Sequence, residues 1–221
     1  MAIEFLPQSS LFLGIIPALA LVYLLLRIWT GKFQEKLIFL FFVFGIISGF
    51  IVTFIEFFIN LSSLIEFVVL FRLIEIMGKT VILNFRRFQE KHQTVLYGAV
   101  LGLGFGSIYP PVSLLLVNTI AVSSLEIASV LIGSVGMLLI QGSTGALIGY
   151  GVFKRNLILP IGLSLVTHVL FQYLLFNLSL MWTWTLIIGG ILAYVLVRKK
   201  IILPLLTQSK RRNRSMKKQE E

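Results

Sequence analysis

The sequence predicts an all-α, polytopic transmembrane helical bundle of about seven spans, on three observations. Of 221 residues 57% are hydrophobic and only 13% are charged, more apolar surface than a water-soluble chain of this size can bury. The apolar residues fall in runs of about 20, the length needed to cross about 30 Å of hydrocarbon. The basic residues, finally, sit on alternate loops. Backbone amides in lipid must bond within their own segment, so such runs imply helices. The alternating ten-residue segments of an outer-membrane barrel are missing.

The runs lie at residues 11–28, 37–59, 61–83, 94–117, 128–152, 157–176 and 181–197. The first is preceded by Glu4 and no basic residue, and no small-residue cleavage site stands out, so it reads as a retained span and not a removed signal. The third is the least apolar, being interrupted by Glu66, Arg72, Glu75 and Lys79. Arg27, Lys32 and Lys36 lie between spans one and two. Arg86, Arg87 and Lys91 follow span three, Lys154 and Arg155 follow span five, and Arg198 to Lys218 follow span seven. Only Arg72 and Lys79 fall elsewhere, inside span three, while the opposite face carries Glu4, Asn60, Glu126 and Asn177 and no basic residue. The expectation is a multi-pass protein of the cell membrane with its N-terminus outside and its C-terminus in the cytoplasm.

Residues 1–203 form the expected bundle and 204–221 a basic cytoplasmic tail. The tail is polar and without apolar period from residue 209, and is expected to be disordered. Its basic residues belong to the same one-sided distribution that gives the chain most of its net charge of +10. They serve as a positive-inside anchor or attract anionic lipid headgroups, at about 1 kcal/mol per residue near the surface. No aromatics interleave them, so nucleic acid is not the expected partner. Cysteine is absent, which excludes disulfides, thiolate catalysis and cysteine metal sites.

Span four carries Gly98, Gly102 and Gly106 at four-residue spacing, with Gly104 on another face, and span five carries Gly145 and Gly149, besides Gly133, Gly136 and Gly142. Small residues at this period let backbones approach closely in lipid, so these spans should be central. Pro110 and Pro111 lack amide protons and obstruct the carbonyls of Gly106 and Ser107, breaking span four.

Ionisable groups inside spans cost about 2.5–3.5 kcal/mol each on insertion scales and face the bundle interior. Arg72, Glu75 and Lys79, three and four residues apart, share one helical face. At 1.5 Å per residue Glu75 lies about 12 Å deep, Gln141 about 15 Å, His168 about 16 Å and Tyr109 about 22 Å. His168 and Gln172 share a face. A carboxylate, an imidazole, amides and a phenol are thus candidates for one buried polar site. A structural ion-pair stripe is one alternative, and Lys79 snorkelling to the cytoplasm is another. Glu56 and Glu66 read as solvated helix ends.

At these residues the sequence resembles the PrsW family of intramembrane proteases, within the superfamily of the CAAX-processing (CPBP) proteases. The resemblance covers roughly residues 71–176. Glu75-Ile76-Met77-Gly78-Lys79 resembles the family's EExxK, and Tyr97-Gly98 through Gly102-Leu103-Gly104-Phe105 the segment leading into FxxxE. Thr167-His168-Val169-Leu170-Phe171-Gln172 resembles HxxxD, and Gln141-Gly142-Ser143-Thr144-Gly145 a stretch that usually opens with histidine. Glu75, Lys79, Phe105 and His168 match. Ile76, Tyr109, Gln172 and Gln141 stand where the family carries glutamate, glutamate, aspartate and histidine.

The resemblance implies an intramembrane endopeptidase with Glu75 as base and His168 as oxyanion donor, acting on a membrane-protein substrate. One carboxylate and one imidazole fall short of the three protein ligands of catalytic zinc, so no metal or other cofactor is expected. A second reading is a non-catalytic protease-fold scaffold binding partner helices, like the non-catalytic gamma-secretase subunit linked to this superfamily. A third is a small transporter or channel, which would ordinarily show paired broken helices where this sequence has one break.

Overall fold

A computed structural model describes residues 6–29, 33–59, 65–89, 91–111, 124–177 and 182–207. All regular structure among them is helical. Seven α-helices run α1 Leu6–Ile28, α2 Glu35–Ile59, α3 Ile65–Leu83, α4 Gln93–Gly106, α5 Ser124–Lys154, α6 Ile158–Asn177 and α7 Trp182–Val197. Each overlaps one of the seven apolar runs, α4 only the first part of the fourth. Among the described residues, two segments are long and apolar enough to cross a membrane, Glu35–Glu56 in α2 and Leu131–Lys154 in α5. Charged residues interrupt α3, and α4 and α7 are short, with 14 and 16 residues. Glu4, Asn60, residues 112–117 of the fourth run and the tail from residue 208 lie outside the described residues.

The central helix is α4, buried at every position from Thr94 to Gly106 and packed against α1, α2, α3 and α5. Its glycines explain how so many neighbours fit. A Cβ at Gly98 would overlap the Gly145 carbonyl oxygen, one at Gly102 that of Gln141, one at Gly145 that of Gly98, and one at Gly149 that of Thr94. Backbone therefore meets backbone along the α4–α5 seam. Gly106 departs from this pattern, since its neighbour is the Gln141 side chain, with Cβ at 3.1 Å. Gly104 faces the other way, onto the Phe42 carbonyl of α2.

The helix ends at Gly106, before the prolines. Ser107 lies in the turn, its hydroxyl donating to the Gly104 carbonyl at 2.7 Å, and helical backbone resumes at residues 109–111. The expected boundary of the bundle at residue 203 needs correction. A π-helical turn, Arg198–Ile202, follows α7, and helix continues over residues 203–207. Ile201, Ile202, Leu205 and Leu206 are buried in the same apolar cluster as Leu25 and Val100, so the first residues assigned to the tail belong to the core.

The outer surface of the bundle is apolar. Phe12, Phe39, Phe50, Val166, Trp184 and Ile188 are each more than half exposed.

Candidate functional site

The site starts from α3, where one turn separates Arg72 from Glu75 and another separates Glu75 from Lys79. All three are buried, Glu75 and Lys79 at 1% exposure. Lys79 Nζ donates to Glu75 Oε1 at 2.7 Å and Arg72 Nη1 donates to Glu75 Oε2 at 2.7 Å. Both oxygens of the carboxylate thus face a cation. Pairing is what makes charge tolerable in a dry interior, and removing one partner leaves the other uncompensated.

Each cation is also shared with a second helix. Arg72 Nη2 donates to Glu56 Oε2 of α2 at 2.6 Å. Lys79 Nζ donates to Gln141 Oε1 of α5 and stands 4.5 Å from the centre of the Phe105 ring of α4, a cation–π distance. The chain Glu56–Arg72–Glu75–Lys79 carries two charges of each sign and ties α3 to α2 and α5. Reading Glu56 as a solvated helix end is therefore wrong. Counted at 1.5 Å per residue, Glu56 lies about 5 Å from the end of α2 and Arg72 about 10 Å into α3, a gap that a guanidinium on its stem spans. Glu66 is exposed, as a helix end should be. Snorkelling is also wrong for Lys79, whose ammonium is enclosed.

His168 of α6 completes the centre. Its Nε2 lies 3.4 Å from Glu75 Oε1 and 3.1 Å from Thr144 Oγ1 of α5. The Thr144 hydroxyl has the Ile140 carbonyl oxygen at 2.9 Å as its own acceptor. With that proton committed, Thr144 offers His168 a lone pair, which places the imidazole proton on Nε2, directed between threonine and carboxylate. Thr144 is a residue the sequence reading missed, although it stands one turn from Gln141 on the same helix.

The expected constellation assembles in part. Glu75, His168, Arg72, Lys79 and Gln141 come together. Gln141 Nε2 is buried without a hydrogen-bond partner, because the amide is turned to present its oxygen to Lys79. Gln172, one turn from His168, is half-buried and has no hydrogen bond to the cluster among the described residues, and Tyr109 is half-buried beyond the turn that ends α4. Ile76, beside Glu75, is fully buried in the apolar core. No group of three or more His, Asp or Glu side chains able to hold a metal converges among the described residues.

Chemically, the centre can hold a carboxylate and an Nε2 proton donor side by side away from bulk water. It leaves Glu75 without an oxygen free of a cation. Comparison with family models, with curated proteins and with solved structures finds no match for this chain.

Proposed function

We propose that this chain is a multi-pass membrane protein with a PrsW-like core, an intramembrane endopeptidase of reduced site whose working pair is Glu75 and His168. The observation that carries the reading is the 3.4 Å approach of Glu75 Oε1 to His168 Nε2, inside the bundle, from two helices far apart in the chain. The membrane placement is supported by the apolar outer surface, since water-soluble monomers rarely expose contiguous apolar patches beyond a few hundred Å². It is supported also by the alternation of basic loops, which orients the N-terminus outward and the basic C-terminus to the cytoplasm.

In this reading the carbonyl of a membrane helix enters beside His168. Glu75 takes the proton of the attacking water, the Nε2 proton stabilises the oxyanion, and Glu75 returns its proton to the departing amine as the C–N bond breaks. Lys79 must first give up its bond to Glu75 Oε1, and Gln141 is placed to retain the ammonium while it does so. A transporter or channel is the weakest reading, because the central charges are paired side by side and do not line a path.

A second reading, a protease-fold scaffold without catalysis, is favoured by a specific observation. Both Glu75 oxygens already hold cations, and Ile76 fills with core side chain the place of the family's second acid. There the ion chain would fix α2, α3 and α5 for a partner helix.

The two separate with purified full chain and a membrane-helix substrate in lipid. The peptidase cleaves as wild type and loses cleavage in both Glu75→Gln and His168→Ala while His168→Ala stays folded. No cleavage by wild type, with Glu75→Gln unfolding at lower temperature, leaves the scaffold.

A further inference from the structure

One buried hydroxyl lies where the Glu75–His168 centre makes no use of it. Ser48, Thr80, Thr144, Thr167 and Thr207 each donate to the carbonyl four residues back, at 2.7–2.9 Å. That is how a hydroxyl satisfies itself within an apolar helix. The hydroxyls of Ser143 and Ser164 are instead buried without a hydrogen-bond partner. Ser164 stands one turn from His168, on the side of the centre already described. Ser143 lies roughly 200° around α5 from Gln141 at 3.6 residues per turn, on the opposite side of that helix, and is 3% exposed.

Ser143 lines a cavity of about 110 Å³ walled by α1, α4, α5, α7 and the π-helical turn. Leu21 and Leu25 of α1, Leu103 of α4, Tyr194 of α7 and Ile202 of the turn face it. The cavity follows from the glycine seam. Close approach of α4 and α5 leaves Ala99, Gly142 and Ala146 on the flank, too short to fill the space beneath α1 and α7.

The walls select the ligand. Apart from Ser143 they offer hydrocarbon, glycine and one phenol, Tyr194, whose hydroxyl does not bond Ser143. Water would need two to four polar partners there. A plain hydrocarbon chain fits the walls but leaves the hydroxyl unpaired, at the full desolvation cost of that group. With no carbonyl of its own helix engaged, Ser143 keeps its proton for an acceptor. A carbonyl oxygen accepts that proton, whereas an alcohol would bring a second proton to be paired. Apolar cavities of about 150 Å³ take up benzene, so this space takes the greater part of a six-membered ring.

We propose that this cavity binds a ring-sized apolar molecule carrying a carbonyl. The Ser143 hydroxyl donates to the carbonyl oxygen, and the leucines of α1 and α4 enclose the ring. The proposal goes beyond the reading above and is independent of whether Glu75 cleaves anything.

The test uses the full chain in neutral detergent and two probes of one shape, cyclohexanone and methylenecyclohexane, which differ only in carrying C=O or C=CH2. Affinity is read from the rise in melting temperature with probe concentration, and the stretch of the bound carbonyl from infrared spectra. Wild type should bind both probes. Ser143→Ala should weaken cyclohexanone about fivefold, the worth of one neutral hydrogen bond, and leave methylenecyclohexane unchanged. It should also move the bound carbonyl stretch to higher frequency, and melt no lower than wild type without probe, because the unpaired hydroxyl is gone. Ala146→Leu should exclude both probes by filling the space, and Leu21→Phe fills it from α1 should Ala146→Leu fail to fold.

A wild type that binds neither probe overturns the proposal, and so does binding that survives the filling variants. Equal effects of Ser143→Ala on the two probes also overturn it, in favour of a plain hydrocarbon occupant. A Ser143→Ala chain that melts lower without probe overturns it as well, because the hydroxyl then serves the fold.

Discussion

The α4–α5 seam and the α3–α6 side of the bundle solve the same problem by opposite means. Along the seam, Gly98 and Gly102 meet Gly145, Gly149 and the Gln141 carbonyl with no side chain between, and attraction comes from many short dispersion contacts. Around α3, cross-helix contacts run through a few polar side chains, Arg72 with Glu56, Lys79 with Gln141 and His168 with Glu75. There Gly78 of α3 and Gly162 of α6 would both carry a Cβ into open space. A glycine is therefore a packing device on one side of the molecule and a conformational liability on the other. What distinguishes the two is the neighbour across the interface, not the residue.

The sharpest way to break the comparison is to add one carbon to each side. Gly102→Ala drives a Cβ into a carbonyl that no rotamer change can relieve. It should cost about 3 kcal/mol or more, read as a collapse of thermal stability in detergent or as failure to purify a folded chain. On the other side, Glu75→Gln leaves buried Lys79 without a carboxylate, while Arg72 keeps Glu56, and should cost about 3–5 kcal/mol. Adding Lys79→Met should recover much of that loss, since an uncharged pair of similar volume removes the uncompensated ammonium. A double variant no more stable than Glu75→Gln alone would show that Lys79 is held by Gln141 and Phe105, not by Glu75.

Smaller effects sharpen the contrast. Glu56→Gln should cost about 1.5 kcal/mol, the low end for a charge-assisted bond, because the Glu56 side chain keeps 18% exposure. Gly78→Ala should raise stability by about 0.5–1 kcal/mol, since mid-helix glycine loses more chain entropy on folding than alanine does. The same substitution at Gly98 should do the reverse. The smallest expectation concerns the loop before α4, where His92 stacks on Trp29 with ring centres 6.2 Å apart. Burial holds its imidazole below the ordinary 6.5, so the unfolded chain takes up the proton first. His92 leaves stability undiminished above pH 6.5 and lowers it as pH falls below that value towards the depressed folded one. His92→Phe, which keeps a ring for Trp29, should flatten that part of the melting-temperature profile.

Much of this was legible from residue order alone. All seven helices overlap apolar runs, although α4 stops at Gly106 within the fourth, because a segment's own hydropathy and length decide much of whether it can be helical. The four-residue glycine spacing pointed to a central α4–α5 pair, and the spacing of Arg72, Glu75 and Lys79 to a shared face, because both follow from 3.6 residues per turn. The partners across helices were less legible. Glu56 reads as a solvated helix end from position alone, and Thr144 has no role of its own within the stretch Gln141 to Gly145. Residues 205 and 206 looked like the start of a basic tail, although their own side chains are apolar and buried.

The sequence by itself determined which segments are helical, which end of the chain gathers positive charge, and which residues of one helix share a face. These are properties of a single strand of chain and need no neighbour. Only the tertiary structure decided that both oxygens of Glu75 are occupied by cations, that His168 turns its Nε2 towards that carboxylate, and that the α4 glycines touch α5 while Gly78 touches nothing. Those outcomes depend on the rotation and separation of helices about each other, which are set by contacts between residues far apart in the chain.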